Sequence, residues 1–264
     1  MHIYNMTQWL FIFYTYCFLG WCFESANVSI RSRQFINRGF IRGPFLPLYG
    51  SGATMMYVVS LPFQDNVMLT YFAGCIGATA LEFVVGVIMD ALFDVRYWDY
   101  SKRKFNYKGH ICLRSTIVWG FLTIFMTKVI HRPIEAFVLS IPTNILNYLT
   151  FILTVYIAAD FALSFKAALD LRDILAKMQR VKEELERMQR RLDVIIALNT
   201  EDFRDEIAEL RARYNLYMEN RKNYKEMLDF YKSDMIRNNP DMISNKFKAT
   251  LEELKNIVVE KMSK

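Results

Sequence analysis

Apolar and polar residues are distributed very unevenly along the chain. Up to about residue 165, long runs of Phe, Tyr, Ile, Leu and Val alternate with short polar loops. After that point Lys, Arg, Glu and Asp occur in nearly every helical turn. Because the two parts need different solvents, we predict a transmembrane helical domain over residues 1–165 and a cytoplasmic helical domain over residues 166–264.

Five apolar runs in the first part are candidates for membrane-spanning helices. Crossing the hydrocarbon takes about 20 predominantly apolar residues in a helix, which satisfies its own backbone polar groups there. The second run begins with prolines and a glycine, so we expect it to be short or partly re-entrant. The predicted spans are Thr7–Phe23, Pro47–Phe63, Val67–Phe93, Ile111–Ile130 and Ile145–Phe165. The predicted fold class is all-α, a polytopic transmembrane helix bundle of about five spans followed by a cytoplasmic coiled-coil or helical-hairpin tail.

Basic residues in the loops indicate the orientation of these spans. The loops after the first and third spans carry Arg31, Arg33, Arg38 and Arg42, and Arg96, Lys102, Arg103, Lys104 and Lys108. Lys and Arg are enriched in cytoplasmic loops. The turn at residues 64–66 has no basic residue and the loop near His131 and Arg132 has few, so both are predicted to lie outside. The N-terminus is then outside the cell membrane and the tail is cytoplasmic.

Several classes of protein are disfavoured by composition and motifs. The net charge is +6, but the excess lies mainly in the membrane loops and the tail is nearly balanced, so we predict no nucleic acid partner. The four cysteines lack metal-site spacing, and a site on His110 and Cys112 would need further ligands. We predict no metal and no cofactor. Phosphate-loop and hydrolase motifs are absent, and no enzyme is predicted.

The tail carries apolar residues at alternating steps of three and four, which is typical of a coiled-coil seam. The first part of the seam is Leu171, Ile174, Met178, Val181, Leu185, Met188, Leu192 and Ile195. Asn199 is predicted to cap a second helix that carries the seam on to Tyr231, and residues 238–240 end it before a last amphipathic helix over Met242–Lys261. The stripes can fold back within the chain, pair in a homo-oligomer or dock another protein.

The third span carries small and acidic residues on one face. Gly74, Ala78, Glu82, Gly86 and Asp90 recur at steps of four. A carboxylate near the centre of a bilayer costs about 2.5–3.5 kcal/mol unless it finds a partner or water. We therefore predict that this face looks into the bundle and that Glu82 is paired, protonated or hydrated.

Further ionisable residues lie near the cytoplasmic ends of other spans. Glu24 follows the first span, and the fourth begins with His110, Arg114 and the polar Ser115. Arg114 is the predicted cation, paired with Glu24 or Asp90 at similar depth. Two interpretations are open: a polar clamp that fixes helix packing, or a cytoplasm-facing cavity with Arg38 in the loop at its lip.

The loop between the third and fourth spans is rich in aromatic residues. Trp98 and Tyr100 suit the headgroup region, and Asp99 and Asn106 can cap turns. Their density in one short loop makes all four candidates for the same cavity.

Several motifs together resemble a bacterial family of multi-pass membrane proteins described as putative ABC-transporter type IV, or permease-like. The similarity covers roughly residues 13–120. The motifs are Gly20-Trp21 with Glu24, Arg38-Gly39-Phe40, Gly43-Pro44, Pro47-Leu48-Tyr49-Gly50, Glu82, Trp98-Asp99-Tyr100-Ser101, Phe105-Asn106, Gly109, Ile111-Cys112-Leu113, Ser115 and Trp119-Gly120. The family usually has arginine at the position of His110. The resemblance implies a permease-like role, which requires a separate ATPase.

Two functions follow from these features. The first is a transport-related subunit whose cavity is lined by Glu24, Glu82 and Arg114 and whose tail docks an ATPase. The alternative is a membrane-anchored scaffold or sensor that acts through its cytoplasmic coiled coil. An intramembrane enzyme using Glu82 or Asp99 ranks last, because no nucleophile with a neighbouring base is visible.

Overall fold

The computed structural model describes residues 4–198, 208–216, 218–219, 228 and 230–262. The chain is almost entirely helical over these ranges, apart from one short β-hairpin. The helices are α1 (Met6–Ser32), α2 (Pro47–Ser60), α3 (Val67–Phe93), α4 (Leu113–Phe125), α5 (His131–Ser140), α6 (Thr143–Leu198), α7 (Phe230–Asn238) and α8 (Lys248–Met262). The hairpin pairs β1 (Asn106–Tyr107) with β2 (Ile111–Cys112).

Three helical stretches are long and apolar enough to cross a membrane: Val67–Phe93, Leu113–Ser140 and Thr143–Ile195. Only 17–28% of the residues in their most apolar windows are buried within the chain. Most of their side chains therefore face outwards, as expected for helices in contact with lipid.

The first two predicted spans are not both long and apolar enough to meet this criterion. α1 has 27 residues, but its two tyrosines, two tryptophans and several polar residues make it less apolar than the three stretches above. α2 has only 14 residues and continues as a three-residue 3₁₀ turn, Leu61–Phe63. The total of five spans therefore stays a prediction.

The predicted loop at His131 and Arg132 is wrong, because both residues are helical, while the predicted orientation of the spans stays a prediction. α4 continues through a π-helical turn, Met126–Ile130, directly into α5, so the helical stretch ends only at Ser140. Pro133 explains the irregularity, since a proline lacks an N–H and clashes with the carbonyl four residues earlier. The π-turn before it gives the backbone room to pass the proline without ending the helix.

α6 continues without a break from the bundle into the tail. Its 56 residues run through position 165, where we placed the border between the two domains. That division stays a prediction. The seam residues Leu171, Ile174 and Met178 are buried, and Val181 and Leu185 are buried further along.

The C-terminal segment folds back onto the base of the bundle. Met242, Leu251 and Leu254 are almost fully buried in one core with Phe93 of α3 and the seam of α6. The last helix thus packs within its own chain, while pairing with a second chain stays a prediction. The predicted cap at Asn199 and the following turn lie outside the described residues.

Candidate functional site

Glu82 lies at the centre of the polar contacts inside the bundle. Its side chain is 8% exposed. One carboxylate oxygen accepts a hydrogen bond from the Tyr100 hydroxyl at 2.9 Å. The other accepts from the indole Nε1 of Trp119 at 2.9 Å and from the Ser115 hydroxyl at 3.2 Å. The carboxylate is therefore held by three uncharged donors from α4 and the loop before it.

Small residues let α3 and α4 approach closely enough for these bonds. A Cβ added at Gly74 would overlap the Thr123 side chain, and one added at Gly120 would come within 2.6 Å of the Cys75 sulfur. At the start of α4, the Cys112 sulfur accepts from the Ser115 amide and caps the helix. This cap orients Ser115 towards α3.

The loop between α3 and α4 delivers Tyr100 to the carboxylate. The Tyr100 amide donates to the carbonyl of Gly109 at 2.9 Å. Gly109 has φ +75°, and a Cβ there would approach Asp99 to 2.9 Å. Burial and the nearby Glu82 carboxylate both raise the pKa of the Tyr100 phenol, so the phenol keeps its proton as a donor.

The other predicted loop residues mainly build the loop itself. Trp98 donates its indole N–H to the carbonyl of His110 at 2.9 Å. Asp99 accepts from the Ser101 hydroxyl at 2.6 Å, and Asn106 donates to the carbonyl of Arg103 at 2.8 Å. These three side chains support the position of Tyr100, and their placement in a cavity stays a prediction.

A second polar group lies two turns further along α3. Asp90 forms an ion pair with Arg96, with 2.6 Å between the carboxylate and Nη2. The His110 Nε2 lies 3.7 Å from the same oxygen. Burial lowers the pKa of His110 and the Arg96 charge lowers it further, while Asp90 acts in the opposite direction. His110 is thus biased towards its neutral form.

A third group joins α1 to the loop after it. Glu24 accepts from the Tyr49 hydroxyl at 2.7 Å, and the Arg38 Nε lies 3.5 Å from its other oxygen. Gly20 packs directly on the Tyr49 side chain with no room for a Cβ.

Arg114 does not pair with either predicted partner. Its side chain is exposed, and within the described ranges neither Glu24 nor Asp90 forms an ion pair with it. The reason is geometric: the loops bring Arg38 to Glu24 and Arg96 to Asp90. The predicted pairing of Arg114 is therefore wrong, although the two carboxylates do find cations.

Several residues of the site were not predicted to belong to it. Trp119 was noted only within a sequence motif, Ser115 only as a polar residue at the start of the fourth span, and Arg96 only as a marker of orientation. Trp119 lies four residues after Ser115, so a search of α4 for polar side chains on one face could have found this pair. Tyr49 gives no such signal.

A further buried group lies outside the predicted site. His131 is 3% exposed, and its two ring nitrogens contact the hydroxyls of Tyr4 at 2.9 Å and Tyr16 at 2.6 Å. Tyr4 also donates to Glu135 at 2.6 Å, and the Tyr57 ring stacks on the imidazole. The incorrect placement of His131 in a loop concealed this group.

Both oxygens of the Glu82 carboxylate are already hydrogen-bonded to protein donors, so the site is closed in this structure. A cleft of about 340 Å³ lies between α1 and α2, but its lining is apolar and includes none of the three carboxylates: Trp9, Leu10, Phe13, Thr54 and Val58. Within the described residues, no group of three or more His, Cys, Asp and Glu side chains could hold a metal ion.

Together these features define a polytopic helical membrane protein with one buried carboxylate, Glu82, and two half-buried ones, Glu24 and Asp90. The family model for putative ABC-transporter type IV proteins matches residues 11–165, which is more than half of the chain. The chain belongs to this ABC-transporter-related family. No curated protein and no solved structure matches it.

Proposed function

We propose that the chain is a transport-related, permease-like subunit that works with a separate ATPase and has no catalytic activity of its own. One observation carries the proposal: Glu82 is buried in a candidate span and held only by uncharged donors. Ionisable residues inside membrane segments are costly and generally mark the path of a solute or ion. A group of polar residues that only fixed the packing of the helices would not need a carboxylate without a cationic partner.

The proposed path opens towards the cytoplasm through movement of the loop between α3 and α4. Tyr100 is the one Glu82 donor in that loop, while Ser115 and Trp119 are fixed on α4. Withdrawal of Tyr100 would leave one carboxylate oxygen of Glu82 free. Loop motions generally occur in nanoseconds to microseconds, and lid opening takes microseconds to seconds.

The proposed topology has five spans, the N-terminus outside and the tail in the cytoplasm. α1 supports it, since its length of 27 residues exceeds the roughly 20 needed to cross the hydrocarbon. The N-terminal part of α6 returns the chain beside α1, where the Tyr14 and Thr154 hydroxyls bond at 2.7 Å. The basic residues of both loops lie at the tail end, as expected for cytoplasmic loops.

The test uses the full-length chain purified in mild detergent. We expect a nucleotide-binding subunit to copurify, and Glu82→Gln to lower the ATPase rate of that complex. Asp65→Asn is the matched control, because Asp65 is an exposed carboxylate in the turn before α3. Transport is refuted if no ATPase copurifies and Glu82→Gln leaves protein abundance and growth unchanged.

A scaffold or sensor that acts through a cytoplasmic coiled coil is the second candidate. The contact of the C-terminal segment with both basic loops favours it, because Arg38 approaches Asp241 at 3.7 Å and Arg96 pairs with the backbone of Ile243. The C-terminal segment of the tail therefore contacts Arg38 and Arg96, which are the cationic partners of Glu24 and Asp90. Such a protein would pair with a second copy or with another helical protein through the part of the α6 seam beyond Leu185, where Met188 and Leu192 are only half-buried.

A shortened tail distinguishes the two functions. Residues 186–227 are replaced by a long flexible linker, which keeps Leu228 and the docked C-terminal segment in place. A transport subunit keeps its ATPase partner and activity, whereas a scaffold loses its function while remaining inserted. Truncation after residue 165 is less suitable, because it would uncover Phe93 and Val95.

A further inference from the structure

The hairpin between α3 and α4 presents aromatic side chains among basic ones. Phe105 is 81% exposed and Tyr107 is 55% exposed. Lys102, Arg103 and Lys104 are also exposed, and none of them forms an ion pair with an acidic residue in the described part of the chain. The Tyr107 ring contacts Phe83, but no ion pair in the described part of the chain accounts for the three cations, and Phe105 is almost fully exposed.

The exposed position of Phe105 requires an unfavourable backbone conformation. Phe105 has φ +53°, a left-handed conformation that costs a bulky residue about 1–2 kcal/mol. Its carbonyl accepts from the Leu113 amide at 3.1 Å, and Asn106 bonds the carbonyl of Arg103. These bonds hold Phe105 in the left-handed conformation. If the loop were surrounded only by water, this conformation would expose an apolar ring without any benefit.

The last turn of α1 and the loop after it repeat the arrangement. Ile30 is 78% exposed and Phe35 is 77% exposed. Arg31 and Arg33 are exposed beside them, again without an acidic partner in the ranges described. Two loops of unrelated sequence thus combine exposed apolar side chains with unpaired cations.

Both loops lie at the same end of the bundle. Arg38, which follows the first loop, donates to the carbonyl of Asn238, and Arg96, before the hairpin, pairs with Ile243. The two contact points in the C-terminal segment are five residues apart. The hairpin also connects α3 and α4 directly, so it lies where two candidate spans leave the hydrocarbon.

We propose that these two loops bind the anionic headgroups of lipids in the leaflet on the tail side. Lys and Arg near a membrane surface attract anionic lipids, while aromatic rings settle at the headgroup level. Phe105 and Phe35 anchor the loops in the interface, and the flanking cations select the negatively charged lipid. The proposal concerns the lipid contact alone and does not depend on transport.

The first test measures lipid retention by the full-length chain. Detergent-purified protein is mixed with phosphatidylglycerol or phosphatidylcholine of the same chain lengths, and bound lipid is counted by native mass spectrometry. The hairpin variant carries Lys102→Asn, Arg103→Asn and Lys104→Asn. Each removed cation is expected to lower retention of phosphatidylglycerol by up to about fivefold and to leave phosphatidylcholine unchanged.

The matched control removes three exposed cations from α6, with Arg180→Asn, Arg187→Asn and Arg190→Asn. These lie roughly 22–37 Å beyond residue 165 along the helix, farther than the screening length of about 8–10 Å. We expect this variant to retain phosphatidylglycerol like the unmodified chain. The proposal is overturned if both variants lose the lipid equally, if neither does, or if glycerol phosphate displaces it as well as the lipid does.

A second measurement does not depend on removing the charges. Phe105→Trp is reconstituted in vesicles that contain brominated phosphatidylglycerol or brominated phosphatidylcholine, and the fluorescence of the unmodified chain is subtracted. We expect stronger quenching by the anionic lipid. Equal quenching by both lipids would overturn the preference for anionic headgroups, and absence of quenching would overturn the membrane contact.

Discussion

The indole of Trp119 donates a 2.9 Å hydrogen bond to the carboxylate of Glu82, and so links α4 to the buried acid of α3. The bond joins two candidate spans at a point shielded from water. It also explains why Trp119, an aromatic residue in an apolar helix, faces inwards.

Removal of this donor should destabilise the bundle. Trp119→Phe leaves a buried carboxylate one partner short, and a hydrogen bond to a charged group contributes about 1.5–3 kcal/mol. The measurement is the thermal unfolding midpoint in detergent. Trp9→Phe is the control, because the Trp9 indole N–H has no hydrogen-bond partner in the described residues; an equal loss in both variants would exclude a specific role for the bond.

Contact between α3 and α4 should be sensitive to a single methyl group. Gly74→Ala places a Cβ against the side chain of Thr123, and overpacking of this kind costs about 1–3 kcal/mol. Gly52→Ala adds the same group in α2 where nothing lies within 4 Å, and should be neutral or slightly stabilising. Unfolding midpoints of the two variants should therefore move apart. Similar midpoints would mean that the helices are not packed as described.

His110 should make stability depend on pH. Burial, reinforced by Arg96 and Lys108 and opposed by Asp90 and Asp99, lowers its pKa below the usual 6.5. The unfolded chain then binds the extra proton first, so the contribution of His110 to stability is present above about pH 6.5 and is lost as the pH falls below it.

This dependence is measured as the unfolding midpoint between pH 7.5 and 5.5. The decline with falling pH should be smaller in His110→Gln than in the unmodified chain, which isolates His110 from the other two histidines. The same decline in both proteins would contradict the assignment.

The C-terminal segment should depend on one buried leucine for its docking. Leu254 is fully buried, and Leu254→Ala is expected to cost about 2–5 kcal/mol. Limited proteolysis should then cut the segment faster. Val259→Ala is the control on the same helix, since Val259 is 66% exposed and should leave the cleavage rate unchanged.

The sequence predicts the helices better than it predicts their partners. The third span was predicted over Val67–Phe93, and α3 has the same bounds because Asn66 caps its first turn and the chain turns left-handed at Asp94. A long apolar run between two polar residues leaves few alternatives. The inward position of Glu82 follows from the same periodicity, because a carboxylate cannot face lipid.

Partner choice depends on loops that the sequence does not describe. Glu24 pairs with Arg38, not Arg114, because the chain after α1 turns back under the bundle. The π-turn before Pro133 likewise carries a helix through a residue that normally ends one. Both outcomes depend on tertiary packing, and no local pattern signals them.

α6 joins the tail to the bundle as one continuous helix. At 1.5 Å per residue its 56 residues measure about 84 Å, and no hinge interrupts them. Asp160, on this helix, accepts from the backbone amide of Gly43 at 2.7 Å. One continuous helix therefore connects the distal tail to the segment next to Arg38 and Glu24.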